Sequence, residues 1–438
     1  MIRKYFYKLL YKYLSVFVRE NDLILAIDPE EDSLISKFQN TEVIFRRLDS
    51  REIPGVKIVT EKTASKSPDY ILLNGNIHYE RDIQMFLNEL RSICGEGTRL
   101  IITYYSSLWK PWLKLATFLR LRRKTSESNW ITKEDLANLL LLSDYEIIRD
   151  DPRVLFPIYF PLLSNLINRY LSPTPMFRQF CLSHIMVSRP RMIESKKTKP
   201  SVSVVVAARN EEGNIENILK RLPKMGPDDE LILVEGNSTD NTWQKIQEIA
   251  EKYKKTHNIQ IAQQDGKGKG DAVRKGFGMA KKDILMILDA DLTVPPEDLP
   301  RFYEAISSGK GEFINGSRLV YPMEKEAMRF FNLIGNKFFA MAFSFVLGQR
   351  FKDTLCGTKV LTRENYLKIE KHRSYFGEFD PFGDFDLIFG ASRLNLKIVE
   401  VPIIYRERTY GETNISRWKH GVILLAMLIF AARKIKFI

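Results

Sequence analysis

ILMILDADLTVPP, residues Ile284–Pro296, decides the fold of the second half of this 438-residue chain. An unbroken apolar run from Ile284 to Leu288 reads as a buried strand. It stops abruptly at Asp289-Ala290-Asp291, and Pro295 and Pro296 stiffen the next turn. In open α/β sheets, ligands gather beyond the carboxyl ends of the strands. Two carboxylates there, one residue apart, can share a hard divalent cation whose remaining shell comes from substrate phosphates. Magnesium or manganese is then the expected ion. The same pair could also be loop acids capping the next helix, so the neighbouring segments have to decide.

Working outward, SVSVVVAARNEE (Ser201–Glu212) opens a strand and delivers Arg209, Asn210, Glu211 and Glu212 at its carboxyl end. LILVEGNSTD (Leu231–Asp240) ends a second strand in Glu235, and Ser238, Thr239 and Asp240 supply a turn and a helix cap. In QDGKGKGDA (Gln264–Ala272) glycines allow close backbone approach to a ligand, with Lys267, Lys269 and Arg274 available for phosphate. The Walker order of glycine, lysine and hydroxyl is missing, which argues against a P-loop. Ile259–Ala262 completes this set of strands.

The first half shows the same alternation. Apolar runs at Leu23–Ile27, Glu42–Phe45, Val56–Thr60, Tyr70–Leu73 and Leu100–Tyr104 are separated by helical patterns. Between the halves lies RPRMIESKKTKP (Arg189–Pro200), basic and without apolar period. The expected architecture is therefore α/β: two Rossmann-like domains at 1–189 and 201–405, a linker at 190–200, and a terminal segment at 406–438.

Composition narrows the partners. Hydrophobic residues make up 44% and charged residues 28%, a balance of folded domains rather than disorder. The net charge of +13 favours anionic partners. Lysines and aromatics do not interleave on a recognisable nucleic-acid module, so no nucleic-acid partner is expected. Cys94, Cys181 and Cys356 are spaced for neither a disulfide framework nor a zinc site. None of the five histidines falls in the motifs above, which argues against histidine-based chemistry.

No apolar run reaches the roughly twenty residues needed to span a bilayer. At the N-terminus, Tyr5, Phe6, Leu9, Leu10, Tyr13, Leu14 and Phe17 recur at helical spacing among lysines, unlike a signal peptide. Met328–Leu347 reads as an apolar helix with one polar stripe of Arg329, Asn332, Asn336 and Lys337. Gly421–Ala432 is apolar and followed by Arg433, Lys434 and Lys436. Both fit amphipathic, membrane-facing helices and monotopic attachment, with a buried amphipathic core helix the other reading of Met328–Leu347.

Taken in order, several segments resemble family-2 glycosyltransferases of the GT-A fold, close to dolichol-phosphate mannose synthases and related polyprenyl-phosphate glycosyltransferases. They are VVVAARNEE, VEGNSTDNT, GKGDAVRKGF, LDADLTVPPED, NGSR (Asn315–Arg318), DTLCGTK (Asp353–Lys359), FGDFDL (Phe382–Leu387) and EVPIIYRERTYGET (Glu400–Thr413), within Pro200–Trp418. The resemblance implies that Ala207, Glu211, Glu235 and Lys269 line the nucleotide sugar, together with Asp289, Ala290 and Asp291. It implies Asp289 and Asp291 as the metal and diphosphate pair, holding Mg2+ or Mn2+. Arg318, Arg329 and Arg408 match arginines that hold an acceptor phosphate, and Asp384 or Asp386 falls where inverting members place a catalytic acid. Two positions depart from the pattern: Glu235-Gly236 stands where a pair of aspartates is common, and Thr293 where many synthases carry glutamine.

Asn21–Arg189 resembles class I S-adenosylmethionine methyltransferases, chiefly over Pro68–Trp112 and Trp130–Tyr145. Its first loop, Ile27-Asp28-Pro29-Glu30-Glu31-Asp32, has no glycine and four acids, so S-adenosylmethionine is not an expected cofactor. The expected function is inverting sugar transfer from a UDP- or GDP-sugar to a polyprenyl phosphate or related lipid-linked acceptor, at the cytoplasmic face of a membrane. The alternative is transfer to a cell-surface polysaccharide or glycan hydroxyl, with an active methyltransferase alongside.

Overall fold

The computed structural model describes residues 2–46, 50–65, 67–120, 129–191, 199–321, 330–373, 383–408, 410 and 417–438. The chain forms two compact units, Met1–Arg191 with Arg433–Ile438, and Met192–Ala432. Among the described residues each is built on one seven-stranded sheet.

In the first unit the strands are β1 (Ile24–Ile27), β2 (Thr41–Ile44), β3 (Lys57–Ile58), β4 (Tyr70–Asn74), β5 (Arg99–Tyr105), β6 (Tyr145–Arg153) and β7 (Ser183–Pro190). Their order is β3-β2-β1-β4-β5-β7-β6. The first five run parallel, and β7 lies antiparallel to both β5 and β6. β1 and β4 are buried throughout, which is why they read as plain apolar runs. The helix Ile2–Leu14 turns Tyr5, Phe6, Leu10, Tyr13 and Leu14 into the core on one face of this sheet.

The end of the chain departs from expectation. The cationic finish foreseen for an interfacial helix is partly internal, because Lys436 is buried in the first unit. Its Nζ lies 2.9 Å from Asp151 Oδ1, and Arg153 donates to the Lys436 carbonyl at 2.7 Å and to Asp151 Oδ2 at 2.8 Å. Burial works to raise the Asp151 carboxyl, but Arg153, Lys436 and Arg149 hold it well below the usual range. Burial in turn brings Lys436 down to about 8. Three cations share the one carboxylate of Asp151, which offsets only part of what burying Lys436 costs.

The strands of the second unit are β8 (Val202–Ala208), β9 (Glu230–Glu235), β10 (Ile259–Gln263), β11 (Ile284–Ile287), β12 (Phe313–Ser317), β13 (Lys359–Thr362) and β14 (Ile398–Pro402). They are ordered β10-β9-β8-β11-β13-β12-β14. β8 to β11 are parallel, whereas β13 is antiparallel to β11 and β12. From β8 the chain winds outward through β9 and β10, then returns to the other side of β8 as β11. That reversal opens a crevice at the carboxyl ends of β8 and β11. The helix Lys269–Met279 covers this part of the sheet so closely that a Cβ on Gly276 would sit 2.3 Å from Val205 Cγ1.

Of the polar stripe expected on Met328–Leu347, Arg329 and the Asn332 side chain lie outside what the structure describes, and on the helix Phe330–Leu347 the other two residues differ in burial. Asn336 is buried, while Ile334, Phe338 and Met341 are exposed at helical spacing beside Lys337. On the helix Arg417–Ala431, Val422, Leu425 and Ile429 are likewise exposed. Among the described residues no helix is long and apolar enough to cross a membrane.

Candidate active site

The loops leaving β8, β9 and β11 line the crevice. Asn210, at φ +57, turns the chain after β8, and its side chain accepts from the Thr239 backbone N–H at 2.8 Å. Asparagine tolerates this left-handed conformation, and the contact ties the two strand ends together. Glu235 closes β9 and is buried. Its Oε1 accepts from the Ser238 N–H and its Oε2 from Gln263 at 3.2 Å. Its carboxylate thus shapes the 236–238 loop. Ala207 is half-buried near the end of β8.

After β11, Asp289 pairs with Lys269 at 2.6 Å. Burial works to raise Asp289, but Lys269, with Lys359 and Arg318 behind it, holds the carboxyl below the usual range. The Lys269 ammonium is held above its own ordinary value, burial being outweighed by Asp289 and Asp384. Ala290 is buried between the two acids. Asp291 Oδ1 accepts from the Thr293 N–H at 3.1 Å and hydroxyl at 2.8 Å, and its Oδ2 takes Arg408 Nη2 at 2.7 Å. Leu292, buried at φ +55, makes the turn between them, a strained conformation for leucine. Arg408 also lies 3.6 Å from Glu211.

Glu211 is the site's titrating group. Burial raises it to about 7, helped by Asp291 and Asp240 and opposed by Asn214 and Arg408. The folded chain therefore binds a proton here that the unfolded chain has lost between about pH 4.5 and 7, and stability falls as pH rises through that window. Glu211→Gln keeps the polar contact without the charge. Its Tm should rise relative to the parent between pH 5 and pH 8; a difference independent of pH would contradict the assignment.

The remaining expected residues divide. Asp384, at the start of the helix Phe385–Arg393, lies 3.2 Å from the buried Lys359. Asp386 lies 3.6 Å from Arg274 and 3.7 Å from Arg373. The resemblance gives Arg318 to an acceptor phosphate, and in the structure two of its nitrogens meet a carboxylate. It donates to the fully buried Asp353 from Nε at 2.6 Å and Nη2 at 2.8 Å, with its guanidinium over the Tyr405 ring. Arg329 lies outside the described residues. The structure thus brings together Glu211, Lys269, Asp289, Asp291, Asp384 and Arg408.

Sequence reasoning gave no role to Lys359, Asp353 or Gly357, although all three lie in DTLCGTK. Gly357 lets the backbone pack against the Asp289–Lys269 pair: a Cβ there would fall 2.2 Å from Asp289 Oδ2 and 2.3 Å from Lys269 Nζ. The carboxylates of Asp289 and Asp291 are oxygen donors of the kind a hard cation takes, with the rest of its shell completed by substrate oxygens. Among the described residues no group of three or more potential metal-ligating side chains occurs.

Comparison with known proteins bears on this geometry. Residues 203–366 match the model of glycosyl transferase family 2. The dolichol-phosphate mannosyltransferase of Pyrococcus furiosus is 32% identical over 219 residues, 49% of this chain and 59% of that protein. The dolichyl-phosphate hexose transferase of Haloferax volcanii is 31% identical over 228 residues, 52% of this chain and 92% of that protein. The chain belongs to glycosyl transferase family 2. As a family-2 chain it spans only 59% of the length of the Pyrococcus relative. Among solved structures, glucosyl-3-phosphoglycerate synthase from Mycobacterium tuberculosis, crystallised with Mn2+ and UDP, is similar at a TM-score of 0.39. The identity is 18%, over 54% of this chain and 80% of that one.

Proposed function

We propose that the second unit is an inverting glycosyltransferase of the GT-A type that moves a sugar from a UDP- or GDP-sugar to a polyprenyl phosphate or related lipid-linked acceptor. The observation that carries this reading is the pairing of Asp289 and Asp291 with Lys269 and Arg408 at the β8/β11 crevice. Asp289 and Asp291 would hold Mg2+ or Mn2+, which when bound supplies positive charge to the leaving diphosphate. Lys269, at the first turn of its helix, adds a second positive charge preorganised where negative charge develops. The resemblance assigns Glu211, Glu235 and Ala207 to the nucleoside, and their position at the carboxyl ends of β8 and β9 supports that reading.

A phosphate acceptor is already ionised and needs no base, whereas a hydroxyl acceptor does. Both candidate bases, Asp384 and Asp386, are engaged by cations, and this favours the phosphate. Arg408, bound on one side to Asp291 and on the other to Glu211, is then the residue we assign to the acceptor phosphate. A planar fork gives it charge-assisted, bidentate contacts. Arg408→Ala should weaken transfer to polyprenyl phosphate by about ten- to a hundredfold through the acceptor KM, with nucleotide binding changed far less. Kinetics with donor and acceptor varied separately test this. A loss confined to the donor term would turn the reading to a hydroxyl acceptor.

The exposed apolar stripes on Phe330–Leu347 and Arg417–Ala431 support peripheral or monotopic attachment to a membrane, and we propose its cytoplasmic face. The first unit we read as a methyltransferase-like domain that has lost its cofactor. Its doubly wound strand order supports the fold. Its first loop supports the loss, because Asp32 is held by Arg51, Glu31 by Arg3, and Asp28 by the Arg46 N–H.

A further inference from the structure

The first unit has a surface whose polarity is reversed. The helix Lys110–Phe118 has no buried residue, and its Trp112 and Phe118 are 63% and 83% exposed. In the segment 156–180 three polar side chains point inward: Ser164, Asn168 and Ser172 are buried and bonded within the unit. The apolar ones point outward, with Leu162 79% and Met176 72% exposed. Leu162 is held out at φ +62, ψ −52, a conformation that costs a leucine free energy and gains it no contact with the core. The two segments are joined, since Trp109 Nε1 donates to the Phe180 carbonyl at 2.8 Å. The segment also adjoins the N-terminal helix, where Tyr5 bonds Asn165 at 3.1 Å and its ring lies 5.2 Å from that of Tyr159.

A patch of this kind on a water-exposed protein marks a docking surface, and charge identifies the partner. Residues 1–19, 103–126 and 154–181 contain no aspartate or glutamate, in a chain that has 54. Their cations include Lys8, Lys12, Lys110, Lys114 and Arg169. Lys12 is held below the usual lysine value by burial first and then by its cationic neighbours Arg169 and Lys8. Exposed aromatic and aliphatic side chains interspersed with unopposed cations are what an anionic lipid surface binds.

We propose that the first unit docks on anionic membranes through the helix Lys110–Phe118 and the segment 156–180, with Trp112, Phe118, Leu162 and Met176 entering the acyl boundary. This surface is distinct from the apolar helices of the second unit, and it does not depend on which acceptor the second unit uses.

The test uses the full chain with vesicles of phosphatidylcholine and phosphatidylglycerol carrying brominated acyl chains. Vesicles should quench a tryptophan component that the Trp112→Phe variant lacks. Phe118→Ser combined with Leu162→Ser should lower partitioning at least tenfold. Lys110→Gln with Lys114→Gln should reduce the preference for anionic over neutral vesicles. Transfer to a short, water-soluble isoprenyl phosphate should be unchanged in all of these variants, so failure to dock and failure of the chemistry read separately. Two results would overturn the proposal. One is sedimentation with vesicles without Trp112-dependent quenching, which leaves docking to the second unit. The other is a lipid-free dimer in which Trp112 is shielded from aqueous quencher, which makes a second copy the occupant.

Discussion

Replacing Asp291 by asparagine is expected to lower sugar transfer on the order of a hundredfold or more while the chain stays folded. The variant is well posed because the two oxygens of this carboxylate have different duties. Oδ1 accepts two hydrogen bonds from Thr293 and fixes the turn, whereas Oδ2 meets Arg408. The Thr293 donors pin the asparagine carbonyl to the Oδ1 place, so the turn survives. The amide NH2 is then left facing a guanidinium, donor against donor, and the charge that would share a divalent cation with Asp289 is gone. Measurement of kcat alongside near-UV circular dichroism checks both halves. Undiminished turnover with added manganese would remove Asp291 from the chemistry.

The largest effect on stability is expected at Asp353. This carboxylate is fully buried and accepts from Arg318 through both oxygens, from the Arg318 N–H, and from the Leu355 N–H. Burial works to raise its pKa, and Arg318 holds it below the usual range. Asp353→Ala would leave a buried guanidinium without its counter-ion, a loss of about 3–5 kcal/mol. Replacing both partners by apolar residues of similar volume should recover much of that, because the cost lies in the orphaned charge. Denaturant unfolding of the single and double variants decides. A loss below about 1 kcal/mol in Asp353→Ala would mean that the pair is solvated.

How legible each strand is in the sequence depends on how it is buried. β1, β4, β8, β9 and β11 are apolar along both faces, so each shows as a run ending close to where the strand ends. β6, YEIIRDDPR, is hidden because its buried Arg149, Asp151 and Arg153 look like a solvent face until Lys436 is brought to them. At the site, Asp289 and Asp291 are legible because two acids interrupt an apolar run. The partners that give those acids their charge state are less so. Lys269 is drawn to Asp289, and Arg408 to Asp291, by topology rather than by spacing along the chain. Arg318 shows the converse, since a motif match fixes its position but not the carboxylate that claims it.

The placement of Lys436 has a consequence for biosynthesis. The first unit is not a contiguous stretch of polypeptide: its sheet is closed off chemically by residues made after the whole of the second unit. On the ribosome, the early portion emerges with Asp151, Arg149 and Arg153 awaiting a cation and a carbonyl that have not yet been synthesised. The first unit is therefore completed only after residues 433–438, and with them the whole of the second unit, have been synthesised.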